Sequence, residues 1–140
     1  MKKNILFLCT GNSCRSQMAE GWGRHLMGDL FNFYSAGTKK HGLNARAVAV
    51  MKEAGVDISG HHSKTTDELS GLQMDYVVTV CSDAHENCPY FPGGKTVHHG
   101  FEDPPKLTED LQDENEILHI YRRVRDEIRA YILKIEEELR

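Results

Sequence analysis

Two groups of residues in this 140-residue chain have types and spacing suited to chemistry. The first is Cys9-Thr10-Gly11-Asn12-Ser13-Cys14-Arg15-Ser16, a cysteine followed six residues later by an arginine and then a serine. Ile5-Leu6-Phe7-Leu8 leads into it with the composition of a buried parallel strand, and Gln17-Met18-Ala19-Glu20 leaves it in good helix formers. A strand-to-helix turn gathers backbone N–H groups at a helix N-terminus, where unpaired amides and the dipole favour an anion. Gly11 and Asn12 are the residue types that accept the positive φ values such a tight loop needs. The same amides and the Arg15 guanidinium favour a thiolate at Cys9, and Ser16 is placed to donate a hydrogen bond to it. Arg15 also offers a planar fork of donors that matches two oxygens of a tetrahedral oxyanion. The implied chemistry is attack by a thiolate on the centre of an oxyanion. Cys14, inside the loop, reads as packing.

The second group is Cys81-Ser-Asp-Ala-His-Glu-Asn-Cys88-Pro89. Four cysteines in a chain expected in the cytoplasm point to redox or metal chemistry rather than structural disulfides. Zinc is disfavoured, because no Cys-x2-Cys spacing is present and the pairs His61-His62 and His98-His99 are adjacent residues whose side chains diverge. No metal and no cofactor are therefore expected.

These groups need elements to hold them. The sequence pattern predicts a first, central strand over 4–8, a helix over 14–28, a second strand Phe31–Ser35 and a helix over 44–54. Thr66–Leu69 reads as a short helical turn, Tyr76–Val80 as a third strand, Thr96–Val97 as a brief fourth and 116–138 as a long C-terminal helix. Residues 81–112, with their prolines and glycines, otherwise read as one long irregular region, the kind that is usually functional. Strands alternating with helices predict an α/β three-layer sandwich with a four-stranded parallel sheet flanked by helices. Ligands of such sheets bind beyond the carboxyl ends of the strands, which brings the loop after strand one beside Cys81.

The length fits a single domain over 1–140. A hydrophobic share of 39% with 27% charged residues fits a globular protein, and no apolar run reaches membrane-spanning length. Met1-Lys2-Lys3-Asn4 runs straight into a strand instead of a signal peptide, so a cytoplasmic monomer with no membrane partner is expected. A net charge of −4 excludes nucleic acid as a main partner and makes anion attraction local to the loop.

Cys-x5-Arg-Ser resembles the loop of the low-molecular-weight protein tyrosine phosphatases. The fuller string from Cys9 to Trp22 is similar to the thioredoxin-coupled arsenate reductases built on that fold. Tyr34-Ser-Ala-Gly37, His41-Gly-Leu-Asn44, Asp57-Ile-Ser59, Val78-Thr-Val-Cys81, Cys88-Pro89, Gly100-Phe-Glu-Asp-Pro104 and Arg123-Val-Arg-Asp-Glu-Ile128 extend the likeness over nearly the whole chain. The resemblance implies arsenate as substrate, held by Thr10 through Ser16, and Cys9 as nucleophile. It implies that Cys81 then attacks Cys9 and expels arsenite, that Cys88 takes the disulfide from Cys9, and that thioredoxin reduces the resulting Cys81–Cys88 pair. It places a general acid at Asp103, in an Asp-Pro setting.

Two departures matter. The phosphatases carry a tyrosine where Pro105 stands here, which favours the reductase over the alternative, a low-molecular-weight tyrosine phosphatase. Some relatives bind potassium with an Asn, a Glu, a Ser and an Asp. Asn12, Glu20 and Ser35 match, but Lys64 stands at the fourth position, where its ammonium would replace the ion. An oxyanion-binding or redox-sensing module without turnover is the reading from another class, and weak phosphatase activity is expected beside reduction. Finally, residues 83–87 suit a short helix in the reduced form. Seven helical residues rise about 10.5 Å, and a disulfide needs Cα atoms roughly 4.4–6.8 Å apart. Oxidation of Cys81 with Cys88 must then loop the segment out.

Overall fold

Apolar residues on both faces of one strand make it the centre of the sheet. In the computed structural model, which describes residues 2–81, 91 and 93–139, Ile5, Leu6, Phe7 and Leu8 are all at 0% exposure. The elements are β1 (Lys3–Cys9), α1 (Arg15–Met27), β2 (Phe31–Gly37), α2 (Ala45–Glu53), a 3-10 turn (Thr66–Leu69), β3 (Tyr76–Thr79), β4 (Lys95–His98), α3 (Pro104–Leu107), α4 (Glu114–Leu133) and α5 (Ile135–Glu138). The four strands are parallel in the order β2-β1-β3-β4. This is the four-stranded parallel sheet flanked by helices that the alternation of patterns predicts.

Alternate side chains of β1 serve opposite layers. Ile5 and Phe7, with Phe33 and Val78, pack under Met18 and Trp22 of α1, Met51 of α2 and Tyr121 and Ile128 of α4. Leu6 and Leu8, with Ala36 and Val77, pack against Leu69 of the 3-10 turn, Met74 and Phe91. Each fully buried side chain of this size contributes about 1.5–3 kcal/mol of transfer free energy. Trp22 Nε1 donates to the Arg125 carbonyl at 3.1 Å and ties α1 to α4.

Several boundaries differ from the pattern reading, each for a local reason. β2 continues past Ser35 because Ala36 and Gly37 still pair with Leu8 and Cys9. Residues 104–107 form a short helix inside the stretch read as irregular, with Pro104 at a first-turn position where its missing N–H costs nothing. The long C-terminal helix breaks at Lys134, whose φ and ψ of −110° and 6° leave the helical region. Cys88 and the segment 83–87 lie outside the described residues.

Candidate active site

The strand β1 ends at Cys9 and α1 starts at Arg15, so the loop between them lies beyond the carboxyl edge of the sheet. Its carbonyls are bonded outward. Thr10 O accepts from the backbone N–H of Thr38 (2.9 Å) and Lys39 (3.1 Å), Gly11 O from His41 N (3.1 Å), and Ser13 O from Asn44 N (3.0 Å). Ser63 Oγ donates to Gly11 O at 2.9 Å and Gln17 Nε2 to Asn12 O at 3.2 Å. In a planar trans peptide the following N–H points opposite its carbonyl. The amides of Gly11, Asn12, Ser13 and Cys14 are thereby turned inward, as an anion-binding nest requires.

The inside of this ring is a cavity of about 460 Å³ lined by Cys9, Thr10, Gly11, Ser13, Cys14 and Arg15 of the loop, closed by His41, Asn44, Asp103 and Pro105. Cys9 is 3% exposed, and its sulfur lies 2.9 Å from Ser16 Oγ. Asn12 Nδ2 donates to the same Ser16 oxygen at 2.9 Å, and the serine hydroxyl can turn its own hydrogen to a thiolate at Cys9. Arg15, 4% exposed, donates to the carbonyls of Val80 (3.4 Å) and Phe101 (3.1 Å), and its Nε lies 3.7 Å from Asp103 Oδ1. The guanidinium is thus fixed from behind by the ends of two other segments. Thr10 Oγ1 is buried without a hydrogen-bond partner among the described residues, so it is available to a bound anion.

The two residues expected to take positive φ divide the work. Asn12 does so, at φ 47°, and Gly11 does not. A Cβ at Gly11 would meet the side chain of His41, which is exposed and must turn aside to admit it. Gly37 is required by space, since a Cβ would lie 2.6 Å from Thr10 O and 2.7 Å from Cys9 O, both backbone atoms of the loop.

Behind the loop, Glu20 is 2% exposed. Ser35 Oγ donates to its Oε1 at 2.7 Å and Lys64 Nζ lies 3.7 Å from the same oxygen. Arg24 Nη2 and His61 Nδ1 lie 3.3 Å and 3.6 Å from Oε2. Asn12 Oδ1 accepts from the backbone N–H of Lys64 at 2.8 Å, while the ammonium itself donates to His62 O at 3.2 Å. The structure therefore gathers Asn12, Glu20, Ser35 and Lys64 in one place.

Pattern reading missed Gln17 and His61. Gln17, fully buried, bonds Asn12 Oδ1 (3.0 Å) and His62 O (3.0 Å), and its carbonyl oxygen lies 3.0 Å from His61 Nδ1. Burial, above all, holds the His61 imidazole below its usual pKa. It missed His41 and Asn44 as cavity walls too, since loop residues distant in sequence carry no spacing signal.

Cys81 lies two residues past the end of β3, the strand that pairs with β1, and is fully buried. Cys9 thus ends one strand and Cys81 follows the end of its neighbour, with Val80 N donating to Leu8 O at 2.9 Å beside them. Among the described residues no cluster of three or more metal-binding side chains occurs, and no helix is long and apolar enough to cross a membrane.

The family described as low molecular weight phosphotyrosine protein phosphatase matches residues 4–140. Arsenate reductase 1 of Staphylococcus saprophyticus is 51% identical over 135 residues, 95% of each chain. A solved arsenate reductase in a phosphate-binding state superposes with a TM-score of 0.79 at 26% identity, covering 99% of both chains. A thioredoxin-dependent arsenate reductase of Corynebacterium glutamicum superposes at 0.65 with 25% identity, over 98% of this chain and 63% of its own. Matched over 4–140 and half identical to a curated arsenate reductase over nearly all of its length, the protein belongs to the low molecular weight phosphotyrosine protein phosphatase family and stands with that family's arsenate reductases.

Proposed function

We propose that this chain reduces arsenate to arsenite with electrons from thioredoxin, as a cytoplasmic monomer folded as one domain over 1–140 and with neither membrane nor nucleic acid as partner. The observation that carries the reading is a thiol at the floor of an inward-facing amide ring, with a fixed guanidinium and a carboxyl group on the cavity wall.

Arsenate sits on the amides of residues 11–14, the Thr10 hydroxyl and the Arg15 fork. Cys9 sulfur bonds to arsenic while one As–O bond breaks, and Asp103 gives its proton so that the oxygen leaves as water. Cys81 then attacks the Cys9 sulfur. The S–As bond breaks with its electron pair left on arsenic, which departs as arsenite, and a Cys9–Cys81 disulfide remains. Cys88 attacks Cys81, frees the Cys9 thiolate and forms the Cys81–Cys88 disulfide that thioredoxin reduces. A reducing compartment suits this cycle, since the Cys81 and Cys88 thiols must be regained each turn. Asn12, Glu20, Ser35 and Lys64 support the loop: the ammonium neutralises a carboxylate buried directly behind the anion site. No metal or cofactor takes part.

Pro105 on the cavity wall gives no aromatic ring at its position for an aryl ester to stack on, which supports a small inorganic substrate over phosphotyrosine. Loop and acid alone suffice for phosphoryl transfer, so weak phosphatase activity accompanies reduction. The test is NADPH oxidation with thioredoxin and its reductase supplied: it should depend on arsenate and stop in Cys9→Ser. Arsenate-independent oxidation only, or turnover by Cys9→Ser, would overturn the assignment.

A further inference from the structure

Cys14 is a buried nucleophile that the reduction cycle leaves unused. It directly precedes α1, is 4% exposed, and lines the same cavity as Cys9. The two sulfurs are near enough to influence each other's charge. Burial first, then the Asp103 carboxylate and Cys9, push the Cys14 thiol well above its usual pKa, against a smaller opposing effect of Arg15. Cys14 therefore stays a neutral thiol beside the nucleophile, with its backbone carbonyl held by Met18 N at 2.9 Å.

We propose that Cys9 and Cys14 together form a dithiol site for trivalent arsenic, which retains arsenite on the reduced protein as a cyclic Cys9–As(OH)–Cys14 adduct. Arsenite near pH 7 is the uncharged acid As(OH)3, so the inward amides and Arg15 that hold arsenate have little charge to hold. Arsenic(III) is soft, and paired sulfur ligands are what bind it well. Two As–O bonds break and two As–S bonds form. Each departing hydroxyl takes one proton and leaves as water, and arsenic remains trivalent, so no oxidant or reductant is consumed. A neutral Cys14 thiol supplies one proton for this exchange, and the Asp103 carboxyl on the same cavity wall supplies the other to the hydroxyl that the Cys9 thiolate displaces. The adduct occupies Cys9 and the loop, so arsenite competes with arsenate and not with thioredoxin. Only the origin of the arsenite rests on the reductase reading; the site itself needs two thiols in one cavity.

The experiment uses the full chain carrying Cys81→Ser and Cys88→Ser, which keeps Cys9 and Cys14 of the four cysteines and cannot complete the thiol cycle. Arsenite is titrated into it without added thiols, and X-ray absorption at the arsenic edge counts sulfur neighbours. Two sulfurs and one oxygen around each bound arsenic are expected, with loss of both alkylatable thiols. Adding Cys14→Ser, or Cys14→Ala, should leave one sulfur and weaken retention about a hundredfold, the loss of an intramolecular second bond. Stabilisation of each variant by inorganic phosphate against heat reports that the loop is intact. A single sulfur neighbour in the parent overturns the proposal, and so does unchanged affinity in a Cys14 variant that still responds to phosphate. Arsenite binding here requires no turnover. A wild-type chain that failed to reduce arsenate, while this variant bound arsenite through two sulfurs, would therefore refute the functional reading and leave the dithiol site standing.

Discussion

Asp103 and Arg15 face each other across the cavity with Nε and Oδ1 3.7 Å apart, and their roles separate by chemistry. An arginine does not give up its proton at working pH, so it binds and orients. A carboxyl group can both hold and release a proton, so Asp103→Asn should slow the step that forms the Cys9–arsenic bond by about a hundredfold or more. Arsenate binding should change little. Rapid-quench measurement of that single step decides it, and an unchanged rate removes Asp103 from proton transfer. Lys64 is legible in the same way. Its Nζ lies 3.7 Å from Glu20 Oε1 with the side chain 12% exposed, a fixed cation beside a carboxylate that is itself 3% exposed. Turnover in sodium and in potassium salts at equal ionic strength should superimpose, and a several-fold activation by potassium would contradict the role given to the ammonium. Cys9, Arg15 and Ser16 could be singled out because their types and spacing follow the chemistry, whereas Asp103 is singled out only by the resemblance, through its Asp-Pro setting. Gln17 and His61 could not be, because each declares itself through partners that folding brings together, and Gln17 stands 44 residues from His61 and 45 from His62.

The elements show where periodicity stops informing. α1 was legible from its apolar face, and Met18 and Trp22 are buried as that face requires. The break at Lys134 was not, because Ile132 and Ile135 both remain fully buried and continue the apolar pattern across it. α3 was hidden by its prolines, which end helices when internal but open them at the first turn. The loop between α2 and the 3-10 turn carries a consequence for pH. Burial holds the folded-state pKa of His61 below the ordinary 6.5. An unfolded chain then takes up a proton at a pH where the folded chain does not. Stability from this site is present above about 6.5 and falls away as pH drops through that value toward the depressed folded-state pKa. His61→Gln keeps a donor for Gln17 Oε1 but cannot titrate, so its melting temperature should decline less steeply on the acid side than the wild type's. Parallel profiles for the two proteins would show that His61 contributes nothing to acid sensitivity.

At the scale of the molecule, β1 organises everything: its carboxyl end carries the thiol, one neighbour supplies Gly37 for close packing, the other leads to Cys81, the proposed resolving thiol, and its two faces build both halves of the core. That much follows from a fully apolar strand between a strand-helix repeat, and it is why the parallel sheet was legible. The second thiol of the terminal pair, Cys88, is known only from sequence, and the proposed order of sulfur exchange depends on it. The most direct test is therefore the full chain carrying Cys88→Ser, reduced, mixed with excess arsenate, quenched with acid and mapped by peptide mass. The proposed order predicts one arsenite released per molecule, then arrest with Cys9 bonded to Cys81. Continued turnover with thioredoxin, or arrest without any arsenite and with Cys9 and Cys81 both still free, would contradict it.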